Sequence, residues 1–106
     1  MLVFMKQPYV ELVRAGRKTS TIRPWAHCRV RVGGPISFNG RLRVTCTGIE
    51  RTRIADLSSL DIRADGFESR DDFETAFRGI YPHATPDTPV WVIRFALNDS
   101  AQRARA

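Results

Sequence analysis

The chain has 106 residues, 42% of them hydrophobic, and a formal net charge of +6. This length and composition predict one domain with a single modest core and leave no room for a second domain. No apolar run approaches the roughly 20 residues that a membrane-spanning helix needs, and the first residues, MLVFMKQ, lack the form of a signal peptide. We therefore expect a cytoplasmic protein without a membrane segment.

Cysteine and histidine are too rare in this chain for the common disulfide and metal sites. The cysteines are Cys28 and Cys46, and the histidines are His27 and His83. Their number and spacing exclude a disulfide framework and give no cluster of metal ligands, so we expect no metal and no cofactor. A catalytic pair formed by Cys28 and His83 is a minor alternative.

The positive charge is concentrated in the first half of the chain. Residues 1–53 carry eleven Lys and Arg against two acids, a net charge of 11 − 2 = +9, and residues 54–106 carry six against nine, a net charge of −3. This asymmetry favours contact of the first half with nucleic acid or phosphate. The alternative is a solvated surface that reflects genome composition, since fifteen of the seventeen cations are Arg. Lys18 stands out against that bias because a desolvated Lys amine can lose its proton and act as a base.

The N-terminal part predicts a strand, a helix and a second strand. Residues 2–5, LVFM, are typical of a short buried strand. The segment QPYVELVRAG predicts a helix, with Pro8 suited to its first position and Gly16 suited to a left-handed cap. The β-branched segment KTSTIR then predicts a strand, which Pro24 interrupts.

The middle of the chain has several strand and turn patterns. RVRV at 29–32 indicates a strand, and the Gly-Gly pair at 33–34 and the Asn-Gly pair at 39–40 are hairpin-type turns. Apolar and polar side chains alternate along residues 41–47, RLRVTCT, which predicts a half-buried strand. After Gly48 the apolar residue is Ile49, so the alternation of apolar and polar positions shifts by one residue, and we expect a bulge near Gly48.

The last part predicts helices and a closing strand. Residues 55–62, ADLSSLDI, are typical of a short helical turn capped by Asp56, and Ser69 suits the start of a helix over RDDFETAFRGI, whose apolar stripe indicates core. Residues 90–97, VWVIRFAL, are apolar at nearly every position, which indicates a central strand or one covered on both faces. We expect residues 98–106 to form a disordered tail.

These elements amount to about five or six strands with two helices, one early and one late. Successive short strands joined by tight turns favour an antiparallel sheet, and in a small domain such strands close most easily as a barrel. The predicted fold is therefore α+β, a small, mainly antiparallel β-barrel formed by residues 1–97 as a single domain.

Three spaced motifs carry a family resemblance. They are Y-V-x-x-V-x-x-G-R-K-T-x-T-I-R, then D-G-F-x-S-x-x-x-F, and finally I-Y-P followed by V-W-V-I-R-F. Together they resemble the ASCH domain, a small β-barrel family similar to PUA domains. The resemblance runs from Tyr9 to Phe95, and its most specific part is Gly16 to Arg23.

The resemblance implies RNA or a modified nucleoside as the partner. PUA-like barrels commonly bind RNA, and ASCH domains have been proposed to do so. Small stand-alone bacterial members, similar to this chain in length, include amidohydrolases that remove the acetyl group of N4-acetylcytidine. Cleavage of single-stranded RNA is a third, less favoured alternative. We first interpret the chain as a binder of RNA or of a modified nucleoside in a basic cleft, with the amidohydrolase as the alternative.

The amidohydrolase branch also implies a catalytic set. It uses a Lys, a Thr three positions on and a carboxylate, which match Lys18, Thr21 and Asp65 here, with Glu68 as the second candidate because the branch has Glu. Lys18 as a neutral amine would take the proton of Thr21, and Asp65 would orient the amine or position water. Residues three apart in a regular strand face opposite sides, so Lys18 can reach Thr21 only from the turn after Gly16.

Neighbouring side chains are candidates for substrate or RNA binding. Arg17, Arg23 and Ser20 could hold a carbonyl or phosphate group. Trp25 or Tyr9 could stack on a pyrimidine ring, although Tyr9 also fits the apolar stripe of the first helix. The sequence favours a monomer without determining the oligomeric state.

Overall fold

The computed structural model describes residues 1–98. Most of the predicted tail, residues 99–106, lies outside the described residues, whereas the backbone N–H of Asn98 still donates to the carbonyl of Arg43. The elements in chain order are β1 (Leu2–Val3), α1 (Gln7–Arg14), β2 (Ser20–Arg23), β3 (Pro35–Phe38), β4 (Leu42–Arg53), α2 (Ser59–Ala64), α3 (Arg70–Ile80) and β5 (Pro89–Leu97). The α+β class is confirmed, with five strands and three α-helices within residues 1–98.

The strands form one sheet in the order β1-β3-β4-β5-β2. β1 and β3 pair in parallel, and the other neighbours are antiparallel. The prediction of a closed barrel is wrong at the level of the hydrogen-bond ladder, because the sheet is open and β1 and β2 are its two edges. Pro24 ends β2 after four residues, and β1 has only two, so the edges are too short to close on each other. The Arg23 side chain spans the gap instead, donating to the carbonyl of Phe4 at 2.9 Å.

The local turn predictions in the middle of the chain are mostly confirmed. Asn39 and Gly40 both have positive φ, 56° and 72°, and join β3 to β4 in a tight hairpin. The register of β4 against β5 shifts between Cys46 and Gly48, which is the expected bulge. The segment 29–32 is not a strand, and only Val30 in it is buried. Backbone hydrogen bonds to β4 begin just after it, where the Gly33 N–H donates to the Cys46 carbonyl and the Cys46 N–H donates to the Gly34 carbonyl.

Capping side chains define the starts of α2 and α3, and the predicted cap of α2 is wrong. α3 begins as expected, since the Ser69 hydroxyl accepts from the backbone N–H of Asp72. The shorter α2 is capped by Ser58, which forms a reciprocal capping box with Asp61, and not by Asp56, which lies in a preceding 3-10 turn. The capping box starts the helix later than predicted and directs its last turn toward Lys18.

Two apolar clusters pack on the sheet, and β5 contributes to both. Ile93 and Phe95 belong to the first cluster, which includes residues from α1, β3 and β4. Val90 and Val92 belong to the second, which includes residues from α2 and α3. β5 is thus a central strand buried on both faces, as its composition predicts. The candidate site lies where the two clusters meet.

Candidate functional site

A helix-terminating turn places the Lys18 side chain. Gly16 has a φ of +76°, and the backbone N–H groups of Arg17 and Lys18 both donate to the Leu12 carbonyl, at 2.9 and 3.1 Å. This left-handed cap ends α1, and β2 starts only at Ser20. Lys18 therefore lies in the turn, outside the strand alternation that would otherwise separate it from Thr21.

The amine of Lys18 is paired with Asp65 in the interior of the protein. Its Nζ donates to the Asp65 carboxylate at 2.5 Å and to the Asp65 backbone carbonyl at 2.7 Å. The two residues are 4% and 5% exposed. Asp65 is the C-cap of α2, and Gly66 follows with a φ of +101°. A Cβ at Gly66 would lie 3.1 Å from Leu12 and 3.7 Å from Lys18, so glycine permits this close approach.

Burial shifts both protonation equilibria of this pair toward the neutral forms. Desolvation lowers the pKa of the Lys18 amine from its usual value, and the negative charge of Asp65 opposes the shift. Desolvation likewise raises the pKa of the Asp65 carboxyl, against the charge of Lys18 and a hydrogen bond from the Ile22 backbone. Lys18 therefore reaches its free-base form at a lower pH than an exposed lysine.

Thr21 and Arg23 lie two residues apart on β2 and so share one face of the strand. The Arg23 Nε donates to the Thr21 hydroxyl oxygen at 2.8 Å, and Thr21 is 4% exposed. Tyr81, just after α3, lines the same cavity and interacts electrostatically with the guanidinium, and burial lowers the pKa of Arg23 from its usual value. Arg23 thus connects the hydroxyl of Thr21 to two other segments of the chain.

These side chains face a cavity of about 150 Å³ whose other walls are mostly aromatic. Tyr9, Phe67, Phe73, Phe77 and Tyr81 form a continuous row in which neighbouring ring centroids lie 4.8 to 5.8 Å apart. The Lys18 amine lies 5.8 Å from the centre of the Tyr9 ring. One end of the cavity is therefore polar, and its walls suit the faces of a planar ring.

The structure gathers five of the sequence-predicted site residues around this cavity: Lys18, Thr21, Asp65, Arg23 and Tyr9. It does not place the other three there. Arg17 is exposed and lies 3.8 Å from Glu68, whose side chain is 85% exposed, so Asp65 rather than Glu68 is the carboxylate at the cavity.

Ser20 and Trp25 have other surroundings. The Ser20 side chain is fully buried, and its hydroxyl has no hydrogen-bond partner within residues 1–98. Trp25 packs against the first apolar cluster, and its ring lies 5.7 Å from the Arg23 guanidinium. Cys28 packs on the same cluster, and His83 is exposed beyond α3, so neither belongs to the cavity lining.

Sequence reasoning missed three aromatic residues of the cavity, Phe4, Phe67 and Tyr81. It assigned Phe73 and Phe77 to the core, and they belong both to the core and to the cavity wall. A periodic pattern identifies the buried face of a helix, but it does not say where that face borders an opening. Within residues 1–98, no group of three His, Cys, Asp or Glu could hold a metal ion, and no helix is long and apolar enough to cross a membrane.

Comparison with known proteins identifies the fold. No family model matches the chain, and neither does any curated protein. Among solved structures, hypothetical protein PH0355 is 22% identical with a TM-score of 0.77, over 92% of this chain and 97% of that one. The ASCH domain from Lactobacillus crispatus JV V101 is 12% identical with a TM-score of 0.78, over 91% of this chain and 77% of that one.

A third similar structure is protein EF3133 from Enterococcus faecalis V583, of the DUF984 family, with 16% identity and a TM-score of 0.72 over 92% of this chain and 79% of that one. At these identities the likeness concerns the fold and leaves the activity to the site. The resemblance of the sequence motifs and the similarity of the structures agree, and the chain has the ASCH-like fold.

Proposed function

We propose that this protein is an amidohydrolase that removes the acetyl group of N4-acetylcytidine, as the nucleoside or the free base. The observation that carries the proposal is the convergence of Lys18, Thr21 and Asp65 at the polar end of an aromatic cavity. A nucleophile, a base and a group that orients the base are the parts that amide hydrolysis requires.

Lys18 is the general base. A neutral amine has two N–H groups, and Asp65 accepts both, one at its carboxylate and one at its backbone carbonyl. The remaining tetrahedral position of Nζ then carries the lone pair, which can take a proton. Asp65 acts by fixing the direction of that lone pair.

Thr21 is the nucleophile. Its oxygen accepts a hydrogen bond from Arg23, so its own proton is free to pass to Lys18. The positive guanidinium favours the alkoxide that develops on Thr21. As the Thr21 oxygen bonds to the acetyl carbon, the acetyl oxygen becomes negative, and further N–H groups of Arg23 can stabilise it.

Three further proton transfers complete the reaction. The bond between the acetyl carbon and N4 breaks as Lys18 returns its proton to N4, which leaves cytidine and an acetyl ester on Thr21. Water then attacks the ester, Lys18 takes one proton from this water and passes it to the departing Thr21 oxygen, and acetic acid leaves and loses its proton to the solvent. Lys18 and Thr21 end in their starting forms.

A purely structural role explains the Lys18–Asp65 pair less well. A buried ion pair contributes little more to stability than apolar residues of similar volume, because both charges lose their hydration. Buried titratable groups whose pKa values are shifted by desolvation and by a charged partner, and which line a cavity, are typical of functional sites. The pair thus supports a chemical role.

The test is incubation of the intact protein with N4-acetylcytidine, with chromatographic detection of cytidine and acetate. We expect turnover, and a loss of at least about 100-fold in kcat for Lys18→Ala and for Thr21→Ala. Thr19→Ala is the matched control, because Thr19 is exposed two residues away and does not line the cavity. Its activity should equal that of the intact protein.

Lys18→Arg separates the hydrolase from a site that only binds anions. A guanidinium keeps the positive charge but cannot serve as the base, so the hydrolase loses its activity with this substitution. Absence of turnover by the intact protein, or full activity in Lys18→Arg, would refute the proposal.

Binding of RNA is the second candidate, and a group of exposed cations outside the cavity favours it. No Asp or Glu occurs between Glu11 and Glu50. Arg29, Arg31 and Arg41 are exposed in this stretch, and among residues 1–98 none of the three has an ion-pair partner. We propose that these three arginines, which we call the basic group, contact phosphate groups.

A further inference from the structure

An exposed aromatic ring stands at the rim of the cavity. Phe4 lines the cavity, yet it is 76% exposed to solvent, and Ile80, another lining residue, is 45% exposed. Large apolar side chains in these positions contribute little to either apolar cluster. The rim therefore presents apolar surface that a bound molecule can cover.

The backbone on both sides of this ring is held in place. The Asn39 amide group accepts from the Met5 N–H at 2.8 Å and donates to the Met5 carbonyl at 2.6 Å. The Phe4 carbonyl accepts from Arg23 at 2.9 Å. Val3 and Met5, the two neighbours of Phe4, are buried, so the extended chain directs the Phe4 side chain outward. The position of the ring at the rim is built into the fold.

The size of the cavity indicates what this ring contacts. A space of about 150 Å³ holds roughly one six-membered ring. A nucleoside whose acetyl group reaches Lys18 and Thr21 therefore fills the cavity with its base, and the remainder of the molecule passes the rim. The interior aromatic row supplies one wall for the base, and Phe4 is the aromatic residue on the solvent side.

We propose that the Phe4 ring is the outer wall of the substrate site, packing against the base of the acylated nucleoside and shielding the polar end of the cavity from water. This inference rests on the proposed function for the identity of the substrate. In this proposal Phe4 positions the substrate and strengthens its binding. Stacking on a base requires an aromatic ring, but different aromatic rings can provide it.

Equilibrium binding of cytidine, the reaction product, and steady-state kinetics with N4-acetylcytidine test the proposal. For Phe4→Ala we expect the dissociation constant of cytidine and the KM to rise about tenfold, with kcat changed much less. Phe4→Trp should restore both constants to within about twofold, because an indole offers the same stacking face. All variants keep the backbone carbonyl that holds Arg23, so the comparison isolates the ring.

Leu2→Ala is the matched control. Leu2 is 68% exposed, lies two residues before Phe4 and does not line the cavity, so its removal should change neither constant. Thermal unfolding of each variant verifies that the fold is intact. The inference is overturned if Phe4→Ala binds cytidine as tightly as the unchanged protein does. It is also overturned if Leu2→Ala weakens cytidine binding as much as Phe4→Ala does.

The outcomes also separate this inference from the proposed chemistry. Binding of cytidine that depends on Phe4, without hydrolysis of N4-acetylcytidine, supports the inference and overturns the chemistry. Hydrolysis of N4-acetylcytidine with a KM that Phe4→Ala does not change supports the chemistry and overturns the inference. Failure of the intact protein to bind either nucleoside overturns both.

Discussion

The cations of this protein occupy two contrasting environments. Lys18 is 4% exposed, and both hydrogen bonds of its amine go to one acid, Asp65. Arg29, Arg31 and Arg41 are exposed on a stretch of chain without acids. A buried charge must have every polar contact supplied by the protein, whereas an exposed charge is solvated by water. We therefore expect the identity of the side chain to matter in the cavity and only its charge to matter in the basic group.

The largest difference that we expect between the buried and the exposed cations is in their contribution to stability. Lys18→Met removes one partner of the buried pair and leaves the Asp65 carboxyl without its main hydrogen-bond donor. We expect the free energy of unfolding, measured by urea titration, to fall by about 3–5 kcal/mol. Lys6→Met is the matched control, since Lys6 is the other lysine and is exposed, and it should change stability by less than about 0.5 kcal/mol.

The double substitution Lys18→Met/Asp65→Leu sharpens this comparison. It replaces both charged groups with apolar side chains of similar volume, so no unpaired group remains in the interior. We expect a stability equal to or greater than that of the intact protein, together with complete loss of hydrolysis. A double variant as unstable as Lys18→Met would show instead that the pair is needed for folding.

The next effect is on the pH dependence of the proposed reaction. The base must be the neutral amine, so kcat/KM should rise with pH, by about tenfold per unit below the apparent pKa of the pair. Burial lowers the pKa of Lys18, so the midpoint of this rise should lie below 10.5, the usual lysine value. A pH–rate profile measures it, and a midpoint at or above the usual value would contradict the assignment of Lys18.

Asp65→Asn tests the cause of that midpoint. The carboxylate attracts the ammonium form and so raises the pKa of Lys18 against the effect of burial. Removal of this charge should move the midpoint to lower pH, in addition to any loss of rate. A shift to higher pH would mean that the observed titration belongs to another group.

Local features were predictable because their causes are local. Gly16 ends α1 with a left-handed cap, and Asn39-Gly40 forms the β3–β4 turn, since few other residues adopt positive φ. The alternation along β4 and the bulge near Gly48 follow from side-chain periodicity in one strand. Each of these depends on a few adjacent residues, which a single sequence displays.

The cavity was less predictable because it is assembled from distant segments. Lys18 and Asp65 are 47 positions apart, and only the motif resemblance, not their spacing, suggested that they belong together. Ser20 was expected at the binding site because it lies in the same motif, but its side chain is buried away from the cavity. Whether the sheet closes depends on the lengths of β1 and β2, which composition did not determine.

The smallest expected effect distinguishes a specific role of the basic group from an effect of the total net charge. Arg29→Gln/Arg31→Gln/Arg41→Gln removes three exposed cations that have no acidic partner within residues 1–98. If the basic group contacts phosphates, the slope of log affinity for single-stranded RNA against log salt should become shallower by about 2. Hydrolysis of N4-acetylcytidine should not change, because none of these residues lines the cavity.

A control with the same change in net charge completes this test. Arg14→Gln/Arg53→Gln/Arg78→Gln removes three exposed arginines, each paired with an acid and each 50 to 54% exposed. Because those acids already compensate the three charges locally, we expect a smaller change in the salt slope than for the first variant. Equal slopes in the two triple variants would mean that RNA affinity depends on the total charge alone, which would overturn the specific role of the basic group.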